Sequence, residues 1–167
     1  MWTLLKWLFP ILALLGLALL VAGQMGALRG QRPADLGVAQ GRLKPPSATA
    51  NSVSSQAGLY PDHPMHREAL IAPFPLHGDG QASMRALAQL LASQPGAALV
   101  VQRGDYLHAE FSTRVLHFVD DVEFWADPAA DVVQVRSASR IGRKDFGVNR
   151  ARIESLRALW AARASGG

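Results

Sequence analysis

Cysteine is absent from the 167-residue sequence. Its absence excludes disulfides, thiolate catalysis, cysteine-based zinc sites and acylation of a lipoprotein cysteine. Charge is also scarce, because only 18% of the residues are charged and the formal net charge is +4. The sequence has no run rich in lysine and arginine and no recognition motif for nucleic acid, so it predicts no nucleic-acid partner. We also expect no cofactor, since no cofactor-binding motif is present.

The longest uncharged stretch lies near the N-terminus, from Trp7 to Leu28, and contains 22 residues. A helix of this length spans roughly 33 Å, about the thickness of a bilayer core. The alternative is a cleaved signal peptide, with small residues near a cut site at Val21-Ala22-Gly23. The apolar stretch is longer than the usual signal-peptide core of about 7–15 residues. We therefore predict that residues 1–28 form a transmembrane anchor or uncleaved signal.

The charges that flank this stretch do not decide on which side of the membrane the rest of the chain lies. Lys6 precedes the stretch, whereas Arg29, Arg32, Arg42 and Lys44 follow it. The positive-inside rule therefore does not place the following residues outside the cell.

Residues 29–60 show neither helical nor strand periodicity. The segment contains Pro33, Pro45 and Pro46, followed by a stretch rich in serine, alanine and asparagine, Ser47–Ser55. Such a composition is typical of an unstructured spacer, and about 30 residues of flexible coil span roughly 30 Å. We predict a flexible linker that lets a folded domain, residues 61–167, stand off the bilayer.

Two helices are expected in this domain, one after Asp79 and one after Asn149, because both residue types are good N-caps. Each cap is followed by an apolar stripe at helical spacing: Met84, Leu87, Leu90 and Leu91 in the first helix, and Ile153, Leu156, Leu159 and Trp160 in the second. Five short apolar or alternating segments predict strands: Ala69–Ala72, Ala98–Gln102 and residues 106–111, 115–124 and 133–136. The resulting order, β-α-β-β-β-β-α, predicts an α+β fold. We expect a two-layer sandwich in which a mainly antiparallel sheet is covered on one face by the two helices.

Alternation along the middle strands predicts one apolar and one charged face of the sheet. The charged face is expected to carry a set of ionisable residues: His108, Glu110, Asp121, Glu123 and Arg136. Carboxylates and imidazoles suit a divalent cation, but no tight spacing such as His-Glu-x-x-His is present, so we predict no metal site. Ser137 and Ser139 suggest a Ser-His-Asp triad with His108, yet the Gly-x-Ser-x-Gly elbow is missing.

Two neighbouring segments of the domain carry opposite charge. Seven acids and one base lie between Asp105 and Asp131, and six bases and one acid lie between Arg136 and Arg152. The simplest interpretation is mutual neutralisation across the sheet, worth about 0.2–1 kcal/mol per pair. The alternative is that bases around the start of the last helix stay free and bind an anionic group. The cations expected to stay free are Arg143, Lys144 and Arg150, and Arg140 is a further candidate binding residue.

Several segments resemble a bacterial family known as domain of unknown function 1499. In chain order they are Val53–Gln56, Asp105–Phe111, Phe118–Phe124, Gln134–Gly142 and Asp145 with Gly147–Arg150. The resemblance covers residues 51–162, with one departure, because Ser52 occupies a position where the family usually has cysteine. It implies an exported domain, since the family is often found behind a signal or membrane anchor. It implies no activity.

These observations predict a single-pass protein of the bacterial inner membrane with its domain in the periplasm. We expect a binding or structural module that recognises an anionic group, a lipid headgroup or a protein partner, and no catalytic residue is assigned. The alternative is a hydrolase-like enzyme that uses Asp121, Glu123 and His108, with or without a divalent metal. A buried carboxylate with a raised pKa would favour the enzyme, and a fully paired charged face would favour the module.

Overall fold

The computed structural model describes residues 2–165 of the chain. It contains three α-helices and six strands in this part of the chain, and the predicted α+β class is confirmed. The helices are α1 (Trp2–Gln24), α2 (Gly80–Ala92) and α3 (Val148–Ser165). The strands are β1 (Ser52–Ser54), β2 (Phe74–Pro75), β3 (Ala97–Arg103), β4 (Tyr106–Ser112), β5 (Val119–Asp127) and β6 (Val132–Ser139).

The six strands form one antiparallel sheet. Its order is β1-β6-β5-β4-β3. Strand β2 also pairs with β6, along the first residues of β6, which β1 does not reach. Antiparallel pairing of successive strands from β3 to β6 makes a meander. As a consequence, the β4–β5 turn and the chain that leaves β6 lie at the same end of the sheet, and the β3–β4 and β5–β6 turns lie at the other.

Helices α2 and α3 cover the apolar face of the sheet, as the sandwich prediction requires. The core combines residues from the helices with inward-facing strand residues: Met84, Leu87, Leu91, Leu107, Val122, Phe124, Val135, Ile153, Leu156 and Trp160. The predicted cap of α2 is also present, because the Asp79 carboxylate accepts a hydrogen bond from the Ala82 amide.

Two local predictions differ from the structure. Residues 69–72 do not form a strand of their own but contribute one isolated bridge, from Leu70 to Ser54, and the short strand β2 lies just beyond them. The start of α3 is capped by Asp145, whose carboxylate accepts from the Gly147 and Asn149 amides. Asn149 itself is fully buried and uses its side chain for tertiary contacts. Sequence spacing cannot separate these two capping arrangements, because both place a polar residue near the first turn.

Helix α1 has a mean hydropathy of 2.0 over Lys6–Gln24 and is, within the described residues, the one helix long and apolar enough to cross a membrane. Its C-terminal end contacts the β4–β5 turn. The Gln24 side-chain amide donates to the Val115 carbonyl at 2.9 Å, and a Cβ placed at Gly23 would lie 2.9 Å from the Leu116 carbonyl oxygen. Glycine is therefore required at position 23 for this close approach.

Residues 29–48 lie across the second, charged face of the sheet, and we call them the strap. The Gly37 amide donates to Glu123, the Pro45 carbonyl accepts from Arg136, and Leu43 is 1% exposed. Strand β1 follows within the segment predicted to be a linker, so the boundary predicted at residue 60 does not coincide with the start of the sheet. A strand of three residues is too short to show a period of two, which explains its omission from the prediction.

Candidate functional site

Strands β4, β5 and β6 bring the predicted ionisable residues together on the face beneath the strap. In the register of the sheet, His108 lies opposite Glu123, Glu110 opposite Asp121, and Glu123 opposite Arg136. The prediction that the three acids share a face with Arg136 is therefore confirmed. All five side chains are buried, with Glu123 completely inaccessible.

Arg140 is the centre of the ion pairs on this face. Its Nε and Nη2 atoms donate to the two oxygens of Asp121 at 2.8 and 2.6 Å, and Nη2 also donates to Glu110 at 2.6 Å. The strap adds Arg32, which donates to Glu110, and Arg29, whose Nη2 lies 3.5 Å from the same carboxylate. Local spacing does not indicate a role for the two strap arginines, because their partner lies about 80 residues away.

Glu123 has a different set of partners. One oxygen accepts from the Tyr106 hydroxyl and from the Gly37 amide, both at 2.8 Å, and the other faces Arg136 at 3.4 Å. Burial, together with the charge of Glu123, raises the pKa of the Tyr106 hydroxyl far above its usual range. Tyr106 therefore stays protonated and serves as a donor to the carboxylate.

Two carboxylates of this face, Asp121 and Glu110, are held in the ionised form. Burial alone would raise the pKa of Asp121, but hydrogen bonds from Arg140 and His108 outweigh it and lower the pKa below its usual range. The pKa of Glu110 is lowered in the same way, since Arg140 and Arg32 outweigh the effect of burial. A general acid of the hydrolase type needs a raised pKa, and neither carboxyl has one.

The structure does not assemble the other two chemical arrangements considered from sequence. Among residues 2–165, no group of three or more His, Asp or Glu side chains is placed to hold a metal ion. His108 pairs with Asp121 at 2.8 Å, whereas the Ser137 hydroxyl donates to Asn149 and that of Ser139 accepts from it. The serines therefore belong to a structural hydrogen-bond cluster around Asn149.

The segment from residue 141 to the first residue of α3, residues 141–148, carries two of the remaining predicted cations, and we call it the basic loop. Arg143 and Lys144 are exposed. Arg150, just after the loop, is not free as predicted, because its Nη2 donates to the backbone carbonyls of Glu68 and Leu70 at 2.7 and 2.9 Å. This contact explains an arginine at a helix start without an acidic partner.

The basic loop also presents apolar side chains that sequence analysis did not single out. Phe146 is 87% exposed and has φ = 54°, in the left-handed region that aromatic residues rarely adopt. The Lys144 ammonium lies 5.7 Å from its ring centre, and Ile141 and Val148 are 42% and 49% exposed. The only sequence feature that could have indicated this exposed residue is its position, between a charged pair and a glycine in a segment without periodicity.

The basic loop and the end of α1 lie on the same side of the domain, which we call the anchor-side end. The backbone amide of Arg140, just after β6, donates to the carbonyl of Val119, the first residue after the β4–β5 turn. The same turn is contacted by the end of α1. A Cβ at Gly30 would lie within 3 Å of side-chain atoms of Arg140 and Ile141. The chain leaving α1 therefore runs directly past the first residue of the basic loop.

Comparison with known proteins identifies one family. A family model described as Protein of unknown function (DUF1499) matches residues 42–159, which confirms the similarity found in separate sequence segments. The match includes the second half of the candidate linker, in agreement with the contacts made there by Leu43 and β1. No curated protein and no solved structure matches the chain.

Proposed function

Since the chain belongs to the DUF1499 family, whose description assigns no activity, we propose a function from the geometry of the chain itself. The protein is a membrane-anchored binding module whose anchor-side end lies on an anionic bilayer surface. Helix α1 remains attached and crosses the bilayer of a bacterial inner membrane, and the domain lies on the periplasmic side.

The observation that carries this proposal is the position of the basic loop beside the exit of α1. If α1 crosses the bilayer, then Gln24, hydrogen-bonded to the β4–β5 turn, lies near the membrane surface. Ile141 packs beside Gly30, only six residues further along the chain, so the loop that it begins faces the same surface. No long-range motion is needed to bring the loop to the lipid headgroups.

The residue types of the basic loop suit a bilayer interface. Arg143 and Lys144 each contribute about 1 kcal/mol of attraction near an anionic surface. Phe146 contributes up to about 1.5–3 kcal/mol by burying its exposed ring among the lipids. A left-handed backbone at a non-glycine residue costs about 1–2 kcal/mol, so folding alone gives no reason for a phenylalanine at this position.

The hydrolase alternative receives no support from the charged face. Asp121 and Glu110 are saturated by arginines, their pKa values are lowered, and the strap covers them. A fully paired face of this kind favours a structural role, with binding assigned to the exposed basic loop.

The absence of cysteine makes a direct test of the loop position straightforward. A spin label on Phe146→Cys in the full chain, reconstituted in nanodiscs, should be shielded from a water-soluble relaxation agent when anionic lipid is present. Arg103→Cys, at the opposite end of the sheet, is the matched control and should stay accessible. Equal accessibility of the two labels in anionic nanodiscs would contradict the proposal.

The side of the membrane is tested separately. Alkaline phosphatase fused to the C-terminus is active only after export, so an active fusion supports the periplasmic placement. An inactive phosphatase fusion together with a fluorescent cytoplasmic reporter fusion would place the domain on the cytoplasmic side. The contact between the basic loop and the bilayer would still be tested by the spin-label experiment.

A further inference from the structure

A cavity of about 170 Å³ lies beside the basic loop. The basic loop and the start of α3 form one side of it, and β1 with the segment around residues 65–68 forms the other. Its walls are mainly apolar and include Ala50, Val53, Met65 and Phe146. Since an apolar cavity of about 150 Å³ holds a benzene ring, this one accommodates the end of a hydrocarbon chain, roughly six carbon atoms long.

The walls of this cavity are held together by hydrogen bonds. The Asp145 amide donates to the Ala50 carbonyl at 3.1 Å, which joins the basic loop to the residues before β1. The Arg150 guanidinium joins the start of α3 to the carbonyls of Glu68 and Leu70. The cavity extends to Val53, a residue of the hydrophobic core that is 4% exposed. It is therefore a defined recess of the domain.

The charges around the cavity leave an excess of positive charge at the basic loop. The Asp145 carboxylate accepts from the amides of Gly147 and Asn149, and Arg150 lies against Glu68 and balances its charge. Arg143 and Lys144 are exposed, and neither has a carboxylate partner among residues 2–165. A negatively charged group at the cavity therefore finds two unpaired cations.

Phe146 connects the cavity with the outside of the domain. The residue lines the cavity and is nevertheless 87% exposed, so its ring lies at the mouth. The Lys144 ammonium, 5.7 Å from the centre of this ring, lies at the mouth as well. An amphiphile whose chain enters past the ring therefore has its head beside a cation.

We propose that this cavity binds the acyl-chain end of an anionic single-chain lipid taken from the adjacent bilayer, with its phosphate head at Arg143 and Lys144. The inference rests on the proposed function, which places the basic loop at the bilayer surface, and it names the lipid that the loop selects. The apolar walls recognise the chain, and the two cations recognise the head.

The test uses the full chain in nanodiscs of neutral phosphatidylcholine. The probe is lysophosphatidylglycerol with a diazirine at the end of its acyl chain, and mass spectrometry maps the labelled residues after illumination. We expect labelling of Val53, because a chain end touches this buried side chain by entering the cavity. The neutral lysophosphatidylcholine probe with the same chain should label Val53 roughly fivefold less. Absence of label on Val53, or equal labelling by the two probes, would overturn the proposal.

Competition in the unaltered chain tests the ligand class without a variant. Excess unlabelled lysophosphatidylglycerol should suppress the labelling of Val53, whereas inorganic phosphate at the same concentration should not, because it lacks the acyl chain. Suppression by inorganic phosphate alone would reject the lipid as the ligand.

Two pairs of variants locate the chain and the head. Ala50→Leu fills the cavity from an exposed position and should remove most of the labelling of Val53, whereas Ala158→Leu, exposed on α3, is the matched control and should not. Lys144→Gln should reduce the preference for the anionic probe, and Arg103→Gln should retain it. Labelling of Val53 that persists in Ala50→Leu would show that the chain does not occupy this cavity.

The outcomes separate this inference from the proposed function. Label on Phe146 without label on Val53 supports the contact between the basic loop and the bilayer and rejects the lipid site. Label on Val53 combined with a water-accessible spin label on Phe146→Cys supports the lipid site and contradicts the contact of the loop with the bilayer.

Discussion

Single residues of the charged face are held by partners that come from three parts of the chain. Arg140 bonds Asp121 on the neighbouring strand and Glu110 two strands away, and Glu110 also receives Arg32 from the strap. Because each acid has at least one cationic partner, the face is electrically balanced although it is buried. The same interdependence makes the removal of one central charge costly.

Arg140→Met should reduce the free energy of unfolding by about 3–5 kcal/mol, because Asp121 and Glu110 would remain buried with less compensating charge. The measurement is urea unfolding in detergent, followed by tryptophan fluorescence. Arg103→Met, an exposed cation with no ion pair among the described residues, should change stability by at most about 0.5 kcal/mol. Equal effects of the two variants would show that the arginine network is not a structural centre.

Phe146→Gly distinguishes the backbone strain at position 146 from the contribution of the exposed ring to lipid binding. Glycine adopts a positive φ without strain, so the variant should be at least as stable as the unaltered chain, with a gain of up to about 1–2 kcal/mol. Its attraction to anionic vesicles should fall, because the exposed ring is lost. Thermal unfolding and vesicle co-sedimentation measure the two effects, and a clear loss of stability would mean that the ring is needed for folding.

At the level of elements, the decisive contact joins α1 to the β4–β5 turn. It depends on Gly23, where no side chain fits against the backbone of Leu116, and on the hydrogen bond from Gln24 to Val115. Because the helix is tied to a turn of the sheet, the domain has a preferred orientation relative to α1. A linker that is flexible throughout its length would not fix the orientation of the domain in this way.

Gly23→Leu should separate the end of α1 from the β4–β5 turn. The readout is the rate at which a short bis-maleimide links Gln24→Cys to Val115→Cys, in a chain that has no other cysteine. We expect a clearly slower reaction than in the parent double-cysteine protein. Gly16→Leu is the matched control in the same helix, since a Cβ there meets nothing within 4 Å, and its rate should be unchanged.

For the whole molecule, the balance of buried charge predicts how stability depends on pH. The folded pKa values of Glu110 and Asp121 lie below their ordinary values of 4.5 and 3.8. The stabilisation from these carboxylates is therefore complete above their unfolded pKa values and is lost as the pH falls through the folded ones.

Thermal unfolding of the full chain in detergent should thus show a steady loss of stability below about pH 4.5. The variant Glu110→Gln/Asp121→Asn should show a weaker pH dependence in this range, together with a lower stability at neutral pH. A steep acid transition that remains unchanged in this variant would assign it to other carboxyl groups, such as that of Asp145.

The charge distribution over the whole surface predicts which end of the domain binds anionic vesicles. A protein that begins at residue 25 lacks α1 and retains the strap, so its vesicle binding reports the anchor-side end alone. Arg143→Glu/Lys144→Glu should weaken co-sedimentation with anionic vesicles by at least about tenfold at low salt, since each cation contributes about 1 kcal/mol. The difference should shrink at high salt, because screening weakens both proteins' attraction.

Arg85→Glu/Arg103→Glu is the matched control for this experiment. It makes the same change in net charge at the opposite end of the sheet, where both arginines are exposed. Equal losses in the two variants would mean that net charge alone, and not the anchor-side end, determines the attraction to lipid.

The sequence by itself determined the features that depend on local pattern. The uncharged stretch, the period-two alternation of β4 to β6 and the apolar stripes of two helices each reflect neighbouring residues, so they predict α1, the sheet faces and the helical layer. The pairing of acids with arginines also follows, because alternation places Glu110, Asp121, Glu123 and Arg136 on one face whatever the loops do.

Only the tertiary structure decided which charges remain free and what covers the charged face. Leu43 and Gly37 belong to a segment without periodicity, and their contacts with the domain depend on chain closure over long sequence distances. The anion-binding alternative requires a free Arg150, but this residue bonds carbonyls about 80 residues earlier. Phe146 became a candidate only through its exposure in the basic loop. These properties arise from three-dimensional proximity, which local spacing along a chain does not encode.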